Sequence, residues 1–248
     1  MKSGSVHEFN EKLYKEKFSK NSEKYYKSHL KKFRKILEHV DKDAPKVLEI
    51  GCADGLLGRM LIEERGADVH GIDINGTAVK VAITRGVKAK RINLEEKRLD
   101  FPANMFDFVI CGDVIEHIFD TGLLLSDIRK VLKPGGHLIA TVPNTASWYN
   151  RIFLLFGYLP TWIESASDVY TGNPFMKESC GHIRAFTKRS FIELLKLKGF
   201  GIQKVKGVSL DGDGTYSKRA ETLWSGVDGL FSKSASLASV ILVKARKT

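Results

Sequence analysis

The chain predicts a doubly wound α/β fold, a mostly parallel sheet flanked by helices. Two observations carry this expectation. From Lys46 to Pro143 short β-rich runs alternate with helix-like stretches, the rhythm a parallel sheet needs because each strand must return through a crossover. Directly after the first run, "VLEIGCADGLLG" sets Gly51, Ala53, Gly55 and Gly58 where a strand gives way to a helix. In open α/β sheets that turn, beyond the carboxyl end of the first strand, is a common ligand site.

Each element follows in order. Residues 11–35, "EKLYKEKFSKNSEKYYKSHLKKFRK", are strongly basic, and Leu30, Phe33, Ile36 and Leu37 recur at helical spacing that continues to Val40. An amphipathic helix fits, its basic face either solvated or recruiting an anionic partner. Strand candidates are "KVLEIG", "DVHGID", "VKAKRI", "FDFVICG" and "HLIATVP". Between them lie "LLGRMLIEERG" and "GTAVKVAITRG", each ending at a glycine suited to a helix C-cap, and then "TGLLLSDIRKVLKPGG". After Pro143 the rhythm breaks. The segment 145–186 contains Trp148, Tyr149, Phe153, Phe156, Tyr158, Trp162, Tyr170 and Phe175, and reads as an insertion that forms either a small satellite core or a lid over an apolar pocket. Thr187 then caps the helix "TKRSFIELLKLKGF", the strand "FGIQKVKGVSL" follows, and "DGDGTYSKRAETLWSGVDGLFSKS" supplies a Gly-rich turn and a short helix before the closing strand "SLASVILVKARK". The expected organisation is an N-terminal helical extension (1–44), a ligand-binding core (45–144), a cap (145–186) and the C-terminal part of the core sheet (187–248).

Composition sets the outer bounds. A chain of 248 residues, 43% hydrophobic and 28% charged, buries enough for one large domain. No apolar stretch is long enough to span a bilayer, and "MKSGSVHEFNEKLYKEKF" lacks the apolar core of a secretion signal, so the expected location is cytoplasmic. Cys52, Cys111 and Cys180 are far apart and odd in number, which suggests reduced structural thiols rather than a disulfide framework or zinc motif. The net charge of +11 invites a nucleic-acid or anionic-surface partner.

Two ligand classes, dinucleotides and S-adenosylmethionine, bind at a turn of this kind. A dinucleotide fingerprint needs Gly-x-Gly-x-x-Gly, whereas Gly51, Gly55 and Gly58 are spaced four and three apart and Ala53 stands in for the middle glycine. Glu49, just before the turn, suits an ammonium group better than a pyrophosphate. Asp73, at the end of "VHGID", is placed where a carboxylate after the second strand can accept from both ribose hydroxyls.

Taken in order, "VLEIGCADG", "GIDIN", "INLEEKRLDFPANMFDFVICGDVIEHI" and "VLKPGGHLIATVPN" resemble a class I S-adenosylmethionine-dependent methyltransferase across about residues 45 to 145. The "PN" after the fifth strand, "RIFLLFGYLP" and "GHIRAFTKRSFIELLKLKGF" are further similar to the ubiquinone-type O-methyltransferases and MetW-like methyltransferases. The resemblance implies a Rossmann-like sheet of seven strands, the last antiparallel. It implies that Glu49 and the loop Gly51, Cys52, Ala53 and Gly55 hold the methionine part, Asp73 the ribose and Ile74 the adenine. Asn93 stands where the family usually has an acid to contact the adenine amino group, and its amide oxygen can accept that bond; the Leu94 N–H would meet a ring nitrogen. Ala53 is a second departure from the pattern, since many relatives have Gly there.

Asp113, just past the fourth strand, is expected to line the methionine end. His117, about one helical turn on, is the candidate general base, because an imidazole titrates near pH about 6.5; a capping or packing role is the alternative. Glu116 is expected to brace the helix or a loop. Asp73, Asp113 and His117 are in no short ligand spacing, so no metal is expected. In the cap, Trp148 and Tyr149 are expected beside the acceptor, and His182 and Arg184 could bind its acidic or polar part. The expected activity is methyl transfer to a small or lipid-like acceptor, most readily at oxygen; the alternatives are an RNA methyltransferase and a non-catalytic module that binds S-adenosylmethionine and acts through a partner.

Overall fold

The computed structural model describes residues 29–165, 171–176, 180–210 and 218–248. Tyr25, Tyr26, Tyr170, the first part of the basic run and the Gly-rich turn "DGDGTYS" lie outside the described residues. Residues 29–37 form helix α1. There follow β1 (Lys46–Ile50), α2 (Leu56–Arg65), β2 (Asp68–Asp73), α3 (Gly76–Thr84), β3 (Lys88–Arg91), β4 (Phe106–Gly112), a 3-10 turn (Ile115–His117), α4 (Thr121–Val131), β5 (Leu132–Pro143), α5 (Trp148–Leu155), α6 (Lys188–Leu197), β6 (Phe200–Val208), α7 (Lys218–Phe231) and β7 (Val240–Lys247).

The strands make one sheet in the order β3-β2-β1-β4-β5-β7-β6. β7 alone runs antiparallel, against both β5 and β6, so the expected seven-stranded Rossmann-like sheet is present. Two apolar layers cover its faces. One packs Leu125 and Ile128 of α4 and Phe191 and Leu195 of α6 onto Leu48, Val109 and Leu138. The other packs Ile36 and Leu37 of α1, Leu57 and Leu61 of α2 and Ala82 of α3 onto Val47, Phe108 and Ile139. The periodicity read at Ile36, Leu37 and Val40 is thus a true core face, all three being buried.

Local chemistry explains the boundaries. Gly66 ends α2 in the left-handed region (φ 61) and returns its N–H to Ile62 and Leu61, a glycine C-cap as the sequence predicts. Thr187 and Ser190 form a capping box on α6. Two differences stand out. The stretch "LKPGG" belongs to β5 and not to the preceding helix: Pro134 has no N–H to continue a helix, and Gly135 turns left-handed (φ 73) with Arg246 packed where a Cβ would stand. The insertion, whose sequence shows no regular alternation, contains a complete helix, α5, with Trp148 and Tyr149 in its first turn.

At the amino ends of the central strands, Asp107 gathers Lys42 Nζ (2.6 Å), Lys133 Nζ (2.9 Å) and the Lys46 N–H (2.9 Å). Burial alone would raise its carboxyl, but these three donors hold it down at about 2. An unfolded aspartate titrates near about 4, so the stabilisation is complete above that pH and fades as pH falls toward the folded value. Asp107→Asn should therefore lower the melting temperature at pH 7 by about 2 to 4 °C, the equivalent of roughly 1 kcal/mol in a chain this size. The difference from wild type should shrink in melts recorded progressively below pH about 4.

Candidate functional site

The turn after β1 is tied down by β2. The N–H groups of Gly51 and Cys52 both donate to the Ile72 carbonyl, at 2.8 and 3.0 Å. The Asp73 carboxylate accepts from the Ala53 N–H through Oδ2 and from the Asn75 N–H through Oδ1, each at 2.8 Å. Asn75 in turn caps α3. Gly51, Ala53 and Gly55 all adopt positive φ, at 73, 46 and 76°. The two glycines serve different ends. A Cβ on Gly51 would lie 2.3 Å from the Val114 methyl, so Gly51 lets the loop close over the start of the segment after β4. A Cβ on Gly55 would meet the Ala82 backbone at 2.8 Å, so this glycine serves the packing of α3, where the sequence suggests close approach to a ligand.

Glu49 lies beneath this loop, buried, with Oε2 unpartnered among the described residues. Burial and the nearby Asp73 and Asp54 carboxylates push its carboxyl well up, opposed by the Gly58 N–H. Burial likewise raises Asp73, against the pull of its N–H donors. Asp54 is paired with Arg85 at 2.7 Å.

Around the loop, Gly51, Ala53, Asp73, Ile74, Asn93, Leu94, Gly112 and Asp113 are all half-buried. They stand at the carboxyl ends of β1, β2 and β4 and just past β3, on either side of the β1/β4 junction where the winding reverses. That is the switch-point crevice of a doubly wound sheet. Asn93 uses Oδ1 to accept the Glu95 N–H at 3.1 Å, leaving a second lone pair on that oxygen. Leu94 leans on the core.

Asp113 occupies the left-handed region (φ 54), uncommon for a non-glycine residue. Its N–H donates to the Thr141 carbonyl at 3.1 Å, its Oδ1 accepts from Thr141 Oγ1 at 2.6 Å, and its Oδ2 is ion-paired with Lys32 of α1. Although burial opposes ionisation, Lys32 and Thr141 hold this carboxyl down at about 2. Sequence reasoning assigned Lys32 to the basic face and missed Thr141. The signal for Lys32 was its place one helical turn before the buried Ile36. The exposed basic run also spends Arg34 on Glu64, at 2.5 Å.

Past Asp113 the structure assembles a group that spacing did not predict. Glu116 and His117 meet His182, and one ligand atom from each lies within 4.8 Å of the others. The rings of His117 and His182 touch edge to face at 4.6 Å between centroids. His117 Nδ1 lies 3.0 Å from the Gly181 carbonyl and His182 Nδ1 lies 3.2 Å from the Trp162 carbonyl. Crowding lowers His117, and burial with the His117 ring beside it lowers His182 to about 4, so both are neutral imidazoles at pH 7. Glu116 was expected to brace a helix or loop. Its carbonyl does so, accepting from the Ile183 and Arg184 N–H groups at 2.9 and 3.0 Å, but its carboxylate has no hydrogen-bond partner among the described residues.

The remaining cap residues are committed elsewhere. Arg184 donates to the Phe119 carbonyl and lies over the Phe119 ring. Trp148 donates its indole N–H to Asp228 at 3.0 Å and stacks on Phe231, while Tyr149 packs on Trp224 and Phe153. The cap is thus a satellite aromatic core joining α5 to α7. Cys52 and Cys111 are buried thiols, and burial raises both. A separate open groove of about 640 Å³, lined by His70, Val87, Lys88 and Phe101, lies toward the amino ends of β3 and β4, away from the crevice.

The methyltransferase domain family model matches residues 18–205. The chain belongs to that family, the S-adenosylmethionine-dependent methyltransferases. Phosphoethanolamine N-methyltransferase 2 of Caenorhabditis elegans is 36% identical over 106 residues, which cover 41% of this chain and only 24% of that protein. The ubiquinone biosynthesis O-methyltransferase of Idiomarina loihiensis is 29% identical over 173 residues, 66% of this chain and 68% of that one. A solved S-adenosylmethionine-dependent methyltransferase of Thermotoga maritima shares the fold at a TM-score of 0.63 and 17% identity, covering 94% of this chain and 98% of the other. No helix among the described residues of this methyltransferase is long and apolar enough to cross a membrane.

The crevice fits the family's cofactor: Glu49 keeps an unpartnered buried oxygen for an ammonium group, and Asp73 stands half-exposed after β2. Asp73→Ala should weaken S-adenosylmethionine binding by roughly 1 to 3 kcal/mol, since it removes an ionic acceptor and frees the Ala53 N–H. Calorimetry against wild type checks the loss. Gly51→Ala should reduce both stability and binding, because its Cβ collides with Val114 in a backbone region that L-residues avoid.

Proposed function

We propose that this methyltransferase methylates an oxygen of a small or lipid-like acceptor. The observation that carries the reading is His117, a neutral imidazole at the mouth of the crevice whose Nδ1 is held by the Gly181 carbonyl, so that Nε2 keeps its lone pair. An amine acceptor attacks with its own lone pair, whereas a hydroxyl must also lose a proton. A lone-pair nitrogen supplies that need, by taking the proton or by holding a cation that acidifies the hydroxyl.

When bound, S-adenosylmethionine supplies the methyl group on a sulfonium centre. Glu49 and the Gly51, Cys52, Ala53 and Gly55 loop would hold its methionine part, Asp73 its ribose, and Ile74, Asn93 and Leu94 its adenine. The Asp113 backbone, fixed by Thr141, would line the methionine end. His182, and Arg184 through the Phe119 segment it holds, would border the acceptor, and Trp148 and Tyr149 would stiffen the cap that keeps water from the reacting groups. Much of the rate would come from alignment of acceptor with donor.

Purified protein should bind S-adenosylmethionine and S-adenosylhomocysteine in calorimetry and should not bind NAD; NAD binding without the other two would overturn the reading. A screen of hydroxylated and amine acceptors, followed by release of S-adenosylhomocysteine, then identifies the acceptor class. Turnover of amines alone would exclude the oxygen assignment, and release with no acceptor in either class would favour a partner-dependent binding module. His117→Ala should lower kcat by about 10²- to 10⁴-fold, the usual reach of a group that assists proton loss, with little change in S-adenosylmethionine affinity.

A further inference from the structure

We infer that Glu116, His117 and His182 form a binding site for a divalent first-row transition cation beside the methyl-transfer crevice. Three features of the chain point there. One ligand atom from each residue falls within 4.8 Å of the others, a spacing that a single ion can bridge by drawing them in slightly. Both imidazoles have Nδ1 at a backbone carbonyl, Gly181 for His117 and Trp162 for His182, which assigns the proton to Nδ1 and leaves Nε2 as the ligand atom on each ring. That is the supporting arrangement metal-binding histidines use. Glu116 is 1% exposed, and neither carboxylate oxygen has a hydrogen-bond partner among the described residues. A buried carboxylate without a partner is costly, and its protonated form would still leave an O–H donor unsatisfied. A cation between Glu116 and the two imidazoles removes that cost.

The surroundings hold the three ligands in place before any ion arrives. The Glu116 carbonyl takes the N–H groups of Ile183 and Arg184, which fixes the 3-10 turn against the strand of chain carrying His182. The Glu164 carboxylate accepts the Cys180 N–H and, at 3.4 Å, the His182 N–H. Trp162 adopts φ 69, an unfavourable conformation for a bulky residue, and its carbonyl is the one that meets His182. Asp113 stays out of the set because Lys32 and Thr141 already satisfy its carboxylate. Two nitrogens and one carboxylate select a cation such as Zn²⁺ or Mn²⁺ over Ca²⁺, which prefers all-oxygen cages.

Three protein ligands leave coordination positions open. An acceptor hydroxyl there would lose its proton to solvent more readily and would present an alkoxide oxygen to the crevice. This role rests on the methyl-transfer reading, and it makes His117 a ligand instead of a base; the cation site itself does not depend on that reading.

The test uses the full chain, prepared without a polyhistidine tag, stripped with EDTA and kept free of S-adenosylmethionine. Mn²⁺ titration followed by electron paramagnetic resonance should show one saturable site, competed by Zn²⁺. Zn²⁺ should also raise the melting temperature of the wild type, and EDTA should reverse the rise. Glu116→Gln and His182→Ala should each weaken Mn²⁺ binding by more than about 100-fold, beyond the loss of a merely supporting partner. Stripped Glu116→Gln should melt close to the stripped wild type, since the amide replaces one unpartnered buried polar group with another of the same shape. The inference fails if stripped wild type shows no saturable Mn²⁺ or Zn²⁺ binding, or if both variants bind as tightly as wild type. S-adenosylmethionine calorimetry on the same stripped protein separates that failure from failure of the methyl-transfer reading.

Discussion

The crevice depends on one carboxylate with two backbone duties. Asp73 holds the Ala53 N–H with one oxygen and the Asn75 N–H with the other, so a single side chain fixes the left-handed loop after β1 and the entry to α3. Without it the three departures into positive φ at alternate residues Gly51, Ala53 and Gly55 would have only the Ile72 carbonyl to hold them at the β2 side. Non-glycine residues resist that conformation, so the hydrogen bond to Ala53 is what allows an alanine where the sequence pattern would more readily accept glycine.

That anchor has an electrostatic consequence. Glu49, Asp54 and Asp73 gather under one loop, and each raises its neighbours' carboxyls or is raised by them. Asp54 takes Arg85 and Asp73 takes backbone N–H groups, but Glu49 keeps an oxygen without a partner among the described residues. The result is a closed end crowded with carboxyl groups, poorly satisfied alone and well suited to a ligand that is cationic at one end and carries hydroxyls in its middle. A dinucleotide pyrophosphate would add to the repulsion. The spacing of the glycines argues the same way from sterics, and the charges argue it independently.

Much of this was legible in sequence because it is local. Strand order aside, β1, β4 and β5 contain apolar runs that end at a turn, and Asp73, Glu49 and the glycine loop are recognisable from their distance to β1 and β2. What stayed hidden is nonlocal. Lys32 looked like one more charge on a basic face, yet the helix turns it inward to Asp113, 81 positions away. His182 looked like a cap residue, and only the packing of the cap against the 3-10 turn puts it beside His117. Gly55 looked like a ligand contact, and it also makes room for Ala82; a glycine in a turn does not declare which side of the backbone needs the space.

The two ends of the crevice are built on opposite electrostatic principles, and their contrast constrains how the parts act together. The loop end keeps carboxyl groups near one another and tolerates their raised pKa values, which a cationic ligand would relieve. The far end keeps imidazoles neutral by desolvation, against the opposing pull of the Gly181 and Trp162 carbonyls, which orient the rings, while Asp113 between the two ends is neutralised by Lys32 and Thr141. Lys32 comes from α1, outside the sheet, and it screens the charge between the two ends. A movement of α1 would therefore expose the Asp113 carboxylate to both, raising the negative potential along the crevice at the place where donor and acceptor must meet. The N-terminal helix is thus an electrostatic part of the site as well as a cover for the second apolar layer, and its basic residues cannot be counted as a uniform surface charge.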